Sequence, residues 1–180
     1  TGNEFLDLRY VTRDSTGEGM IDSLGQESTC GAYDYGDPEN FSNQLNSKFH
    51  DATPSFSEDE STIYFTRNNL LKGRARKDDE GIIRLKVFSA EGGGSGGNAS
   101  FNNVESLPFN SDEYSVAHPA LSPEGDFLYF ASDMPGGFGE MDIYVSEQED
   151  GRWGPPINLG PEVNTEGTEV FPYFAKDGNL

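Results

Sequence analysis

The pattern of apolar and polar positions predicts many short β-strands. Residues 62–66 and 127–131 combine aromatic, branched and small side chains, as strands buried on both faces do. Residues 85–90 and 141–146 alternate apolar with polar positions, which is typical of a half-buried strand. Turns rich in Pro, Gly and acidic residues, such as 122–126, separate these segments. The chain is therefore predicted to be all-β.

A repeat carries this pattern along the chain. Residues 52–60, 117–125 and 170–178 each read apolar, any residue, Pro, any residue, apolar, small, and then enter a polar turn. In the first two copies a Tyr-Phe strand follows the turn. The repeat positions are Pro54, Pro119 and Pro172, with Tyr64, Phe65, Tyr129 and Phe130 in the strands that follow.

A second element repeats behind the first. Residues 85–90 match residues 141–146, and each segment is followed by an aromatic residue, a leucine six positions later and then an asparagine. These three residues are Phe101, Leu107 and Asn110 in one copy, and Trp153, Leu159 and Asn164 in the next. Residues 41–46 resemble the tail of an earlier copy that leads into His50.

Each unit thus reads as four short strands, which is the pattern of a propeller blade. We predict a β-propeller of four-stranded antiparallel blades over residues 41–180, with repeats starting near 50, 115 and 168. Propellers typically have 4–8 blades, so we expect only a partial set of blades, truncated at the C-terminus. Residues 1–40 are predicted to be an incoming strand, a partial blade or a linker.

Charge and cysteine content narrow the function classes. The chain has 32 acidic and 12 basic residues and a formal net charge of −20, which repels phosphate backbones and anionic headgroups. Cys30 is the only cysteine, so neither an internal disulfide nor a thiolate zinc site can form. No apolar run approaches the ~20 residues that cross a bilayer, and no signal peptide is recognisable.

Three segments carry a resemblance to a known family. They are residues 107–122, 129–144 and 153–165, and the second contains Ser132-Asp133-Met134-Pro135-Gly136-Gly137. Together they resemble the WD40-like, TolB-type propeller repeats of OmpA-family outer-membrane proteins of Bacteroidetes-type bacteria. The resemblance implies a periplasmic, outer-membrane-associated scaffold that reaches peptidoglycan through a domain outside these residues. Some members of this family serve type IX secretion. The first copy departs from the pattern, with Thr66-Arg67-Asn68-Asn69 in place of the Gly-Gly loop.

The candidate chemical residues have structural and functional interpretations. Asp133 and Asp142 bracket a loop containing Gly136 and Gly137, in which a carboxylate can hold the turn or help to bind a cation such as calcium. His50 and His118 stand near equivalent strand starts, His50 two residues earlier in its copy, and this favours a structural hydrogen bond over catalysis. The basic loop 72–81 is interpreted as a solvated hairpin tip, with a binding role as the alternative.

We therefore predict a non-catalytic interaction module without a cofactor, whose partners are other outer-membrane or periplasmic proteins. Two alternatives stay open. One is a propeller enzyme that cleaves glycans or gates a peptidase, although the arginines show no repeat-related placement. The other is a cation-dependent adhesion module.

Overall fold

The computed structural model describes residues 8–11, 13–15, 33–35, 37, 39–42, 44–47, 50–71, 74–94, 99–174 and 180. This part of the chain is all-β, and its antiparallel sheets include one that is curled. It contains no helix, and so no helix with the length and hydropathy to cross a membrane.

The strands are short and follow one another closely. They are β1 (Arg9–Tyr10), β2 (Arg13–Ser15), β3 (Tyr33–Tyr35), β4 (Glu39–Asn40), β5 (Asp51–Phe56), β6 (Thr62–Asn68), β7 (Leu70–Leu71), β8 (Arg74–Ala75), β9 (Leu85–Gly93), β10 (Ser100–Ser106), β11 (Val116–Leu121), β12 (Phe127–Ser132), β13 (Asp142–Glu149), β14 (Arg152–Trp153) and β15 (Ile157–Asn158).

Two larger sheets share one topology. The first is a four-stranded meander in the order β5-β6-β9-β10. The second runs β11-β12-β13, and β14 and β15 both pair with β13, so that its outer strand is broken into two pieces. Three further pairs, β1 with β4, β2 with β3 and β7 with β8, are two-stranded.

The first two strands of each sheet match in register. The pairs are Ala52 with Thr66 and Ser55 with Tyr64 in the first sheet, and Ala117 with Ala131 and Ala120 with Tyr129 in the second. The register shifts at the same place in both, and the residue before the proline there has a left-handed backbone, with φ of 45° at Thr53 and 57° at His118. Phe171, before Pro172, has the same φ of 57°. In the first two copies the proline repeat is therefore a repeated bulge.

Buried side chains stack each copy on the one before it. Ile63 and Phe65, on one face of β6, join a core that contains Leu8 and Leu45. Their counterparts in β12, Leu128 and Phe130, lie in the core between the two sheets. That core also holds Tyr64, Val87, Leu107 and Phe109 from residues 64–109, and Val116, Leu121 and Tyr144 from residues 116–144. The first sheet is thus covered on both faces.

The chemistry of the contact between copies changes along the chain. At the first junction the Thr66 hydroxyl accepts the His118 N–H at 2.9 Å, and the Ser55 hydroxyl accepts the Leu121 N–H at 3.0 Å. The second copy has Ala131 and Ala120 at those positions. Its contacts with the third copy are aromatic instead: the rings of His118 and Phe171 stack at 3.8 Å, and those of Tyr129 and Phe174 meet edge to face at 5.1 Å.

An asparagine closes each copy with the same pair of hydrogen bonds. The Asn110 side chain accepts the Val87 N–H at 2.9 Å and donates to the Val87 carbonyl at 2.6 Å. Asn164 makes this pair with Ile143 at 2.7 and 3.0 Å. Asn46 makes it with Leu8 at 2.9 and 3.0 Å. An earlier copy therefore reaches back at least to Leu8.

Candidate functional site

Asp142 holds the Gly-Gly loop that the sequence singled out. Its carboxylate is buried, with the residue only 1% exposed, and it accepts the N–H groups of Phe138 at 2.6 Å and Gly139 at 3.1 Å. The Asn158 side chain donates to it as well, at 2.7 Å. A Cβ on Gly137 would lie 2.5 Å from this carboxylate, so only glycine fits there. This is the predicted turn-holding role.

Asp133 anchors the start of β11. One carboxylate oxygen accepts the Ser115 N–H and the other accepts from Arg84 at 3.0 Å. In the first copy the Asn68 side chain accepts the His50 N–H at 3.1 Å, which is the same contact one repeat earlier. The first copy therefore keeps this role although its loop sequence differs. Gly136 turns the intervening loop with φ of 99°.

Among the described residues none bonds to both Asp133 and Asp142, and each carboxylate accepts from N–H donors. A cation site needs several oxygen ligands that point at one position. In the part of the chain that the structure describes, no group of three or more His, Cys, Asp or Glu residues is placed to hold a metal ion. The arrangement at these two residues fixes loops and strand starts.

The two histidines take different places in the repeat. The His50 and Ser115 N–H groups donate to Asn68 and Asp133, which occupy equivalent positions. His50 therefore lies three residues before the position of His118 and not two. The predicted structural hydrogen bond is also wrong for His118 Nδ1, which is buried without a partner among the described residues. Its ring stacks on Phe171 instead, and burial lowers the pKa of His118.

The basic loop folds onto the junction between the two sheets. Asp78 is buried there, and although desolvation opposes its ionisation, its hydrogen bonds to the Ile82 N–H and to Arg84 outweigh it and lower its pKa. Arg84 then bridges to Asp133 of the second sheet, and Arg76 pairs with Asp112 at 2.9 Å. The interpretation as a solvated tip fits Arg74 and Lys77, which are exposed, but not Asp78.

Lys86 forms a second ion pair across this junction. Its ammonium pairs with Asp112 at 2.8 Å, and the Asn69 side chain donates to the same carboxylate at 2.8 Å. The hydrogen bond from Lys86, with that from Asn69, lowers the pKa of Asp112. Together with Arg84, these residues link the loop end of the first sheet to the start of the second.

A buried ion pair was not found by sequence reasoning. Arg67 pairs with Asp51, donates to the Leu45 carbonyl, and lies over the ring of Phe65 at 4.8 Å. The second copy has Ser132 and Val116 at the corresponding positions. The pair therefore has no counterpart in the second copy, and the only sign of it in the sequence was an arginine within a strand predicted to be buried.

The three repeat prolines line a cavity of about 360 Å³. Its walls come from equivalent residues of three copies, around Pro54, Pro119 and Pro172. The Tyr-Phe positions lie in the packed sheets, and Trp153 packs edge to face on Tyr64 at 5.8 Å. The bulged strands β5 and β11 and residues 171–174 of the third copy therefore converge at one place.

No family model and no curated protein matches the chain.

Proposed function

We propose that the chain is a run of β-propeller blades. Two sheets of matching topology, stacked in the same sense, support this proposal. The cavity around Pro54, Pro119 and Pro172 supports it further, because inner strands of successive blades meet around a common axis. A closed propeller needs at least four blades, so the proposal requires further copies of this unit.

Electron microscopy of the longest form of the protein that its gene encodes tests the architecture. We expect class averages of a disc with radial sheets. An open sandwich, or a particle that contains only two sheets, would contradict the propeller.

The proposed function is that of a non-catalytic interaction module in a periplasmic, outer-membrane-associated protein of the OmpA type. The observation that carries it is the division between frame and loops. The bulge and the asparagine bonds repeat from copy to copy, whereas the loop after the second strand runs from 69 to 84 in the first copy and only from 133 to 141 in the next. A repeated frame that presents unlike loops is suited to binding a partner.

Affinity purification of the intact protein from the membranes of its own cells tests this function. We expect specific outer-membrane or periplasmic proteins to co-purify in stoichiometric amounts, because the module is proposed to dock them. A bait of similar charge serves as the control. If no protein is enriched over that bait, the interaction role is wrong.

The intact protein is also assayed on glycan and peptide substrates. Turnover that is lost in Asp133→Ala or Asp142→Ala, but kept in Asp126→Ala, would overturn the non-catalytic assignment. Asp126 is an exposed residue of the turn before β12 and serves as the matched control.

A further inference from the structure

Trp153 divides a groove at the outer side of the two sheets. On one side is a cleft of about 570 Å³ between the sheets, whose wall includes Tyr64. On the other is a cleft of about 510 Å³ beside Pro155 and Ile157. Arg152 and Trp153 line both clefts, so the two form one groove.

The tryptophan is held in place by a tight turn. Gln148 pairs with Trp153 and Glu149 with Arg152, which leaves Asp150 and Gly151 as a two-residue loop with φ of 50° and 73°. Positive φ at both loop residues is the signature of a type I′ hairpin. With its ring also packed on buried Tyr64, Trp153 is a preorganised and partly exposed aromatic anchor.

The floor of the groove is apolar. The apolar part of the lining, here called the floor, consists of Trp153, Pro155 and Ile157, and Ile157 is 64% exposed. Well-packed tryptophans surrounded by apolar contacts are the residue type that dominates binding energy at protein interfaces. The floor therefore favours apolar side chains of a protein ligand.

The walls of the groove are acidic. Glu91 and Glu105 line the first cleft, and Glu147, Glu149 and Asp150 the second. All five are exposed, and none forms an ion pair with another described residue. Arg152 is the one basic residue that lines either cleft among the residues described. The field here is negative, in keeping with the net charge of −20.

We propose that this groove binds an extended basic segment of a partner protein, in which Lys or Arg alternates with apolar residues. The inference rests on the proposed interaction role and names its site. Cationic heads pair with the acidic walls and lie over the Trp153 ring, while their aliphatic stems and the apolar residues cover the floor. Anionic partners are repelled, and charge complementarity speeds the encounter.

The emission of Trp153, taken as the difference between the wild-type protein and Trp153→Phe, tests the site directly. The probe is a Trp-free octapeptide that alternates Lys and Val. We expect a saturable change in emission that weakens with salt. A peptide that alternates Lys with Gly lacks apolar residues, and one that alternates Glu with Val lacks positive charge. Each should bind at least tenfold more weakly than the Lys/Val peptide. An unchanged emission spectrum would overturn the proposal.

Charge-matched variants separate the groove from general electrostatics. Each variant replaces three exposed glutamates with glutamine. The groove variant changes Glu105, Glu147 and Glu149, and the control changes Glu113, Glu162 and Glu166. We expect the groove variant to weaken binding of the labelled Lys/Val peptide at least tenfold, and the control less than twofold. Equal weakening would overturn the proposal.

Affinity purification with the groove variant distinguishes the two proposals. If wild-type protein enriches partners and the groove variant enriches the same set equally, the groove inference is wrong while the interaction role stands. If wild-type protein enriches none, the interaction role is wrong, and the peptide titration still decides whether the groove binds a basic segment.

Discussion

At the scale of single residues, the left-handed position before each repeat proline sets the frame. Thr53, His118 and Phe171 are not glycines, yet each has φ between 45° and 57°. That conformation is uncommon for such side chains and costs of the order of 1–3 kcal/mol. Because it recurs at equivalent places, the packing around each of these residues must offset this cost.

His118 makes stability depend on pH. Burial lowers the pKa of His118 in the folded protein below its ordinary 6.5. At pH values between the folded pKa and 6.5, the unfolded chain therefore binds more protons than the folded protein. Stability should fall as pH drops below about 6.5 and level off below the folded pKa. His118→Asn, which tolerates left-handed φ, should flatten this part of the profile. Melting temperatures between pH 5 and 8 check this, with His50→Asn as the control for loss of an imidazole.

The buried ion pair should be costly to break. Arg67→Met leaves Asp51 buried without its cation, and a loss of roughly 3–5 kcal/mol is expected. Asp51→Val together with Arg67→Met should recover most of the loss, because an apolar pair replaces the charges. Urea unfolding measures both. Arg76→Ala breaks a half-exposed pair and should cost at most about 1 kcal/mol. Equal losses of stability in Arg67→Met and Arg76→Ala would contradict the claim that burial makes the Arg67 pair costly to break.

At the scale of elements, the asparagine bonds tie the chain that leaves each sheet to its third strand. The residue bonded, Val87 or Ile143, lies within that strand, and the asparagine comes just after the outer strand. A side-chain amide can satisfy an N–H and a carbonyl together. Each copy is thereby closed before the next one begins.

Removing one of these amides should destabilise the protein according to its burial. Asn164 is 1% exposed, so Asn164→Ala leaves two buried backbone groups unsatisfied and should cost roughly 2–4 kcal/mol. Asn110→Ala should cost less, since water reaches that partly exposed position. Urea midpoints give both values. Asn102→Ala, on an exposed edge, should change stability by less than about 0.5 kcal/mol.

Elements with strong local patterns were predictable, and long-range partners were not. The strands predicted at 62–66, 85–90 and 127–131 lie within observed strands, and the one at 141–146 does so except for Met141, which comes just before β13. The two-residue strands β7, β14 and β15 carry no periodicity to detect. Thr66 and Ser55 look like ordinary strand residues, and their partners come 52 and 66 residues later. Such contacts become visible only when the copies stack.

At the candidate site, too, local interactions were predictable and long-range ones were not. Glycine spacing predicted the turn held by Asp142, because that interaction is local. The bridge from Arg84 to Asp133 spans 49 residues and was missed. The groove at Trp153 was also missed, since its acidic walls come from two different sheets.

At the scale of the whole molecule, the hydroxyls at the first junction should control how tightly the sheets hold together. Ser55→Ala with Thr66→Val leaves the N–H groups of Leu121 and His118 without acceptors, at roughly 1–3 kcal/mol each. Hydrogen exchange should accelerate at these two amides in β11 and remain unchanged at the centre of β9. Thr62→Val is the control. Unchanged exchange in β11 would mean that apolar packing alone holds the junction.

Ser55 and Thr66 of the first copy carry hydroxyls, whereas Ala120 and Ala131 stand at these positions in the second. Each copy therefore presents a different surface to the copy that follows it. If all copies were identical, any one could stack on any other, within a molecule or between molecules, and head-to-tail growth would have no natural end. A chain whose junctions differ in chemistry penalises such mispairing while it folds, which is the characteristic hazard of repeated domains. The order of the copies along the chain thereby determines which copies stack on each other.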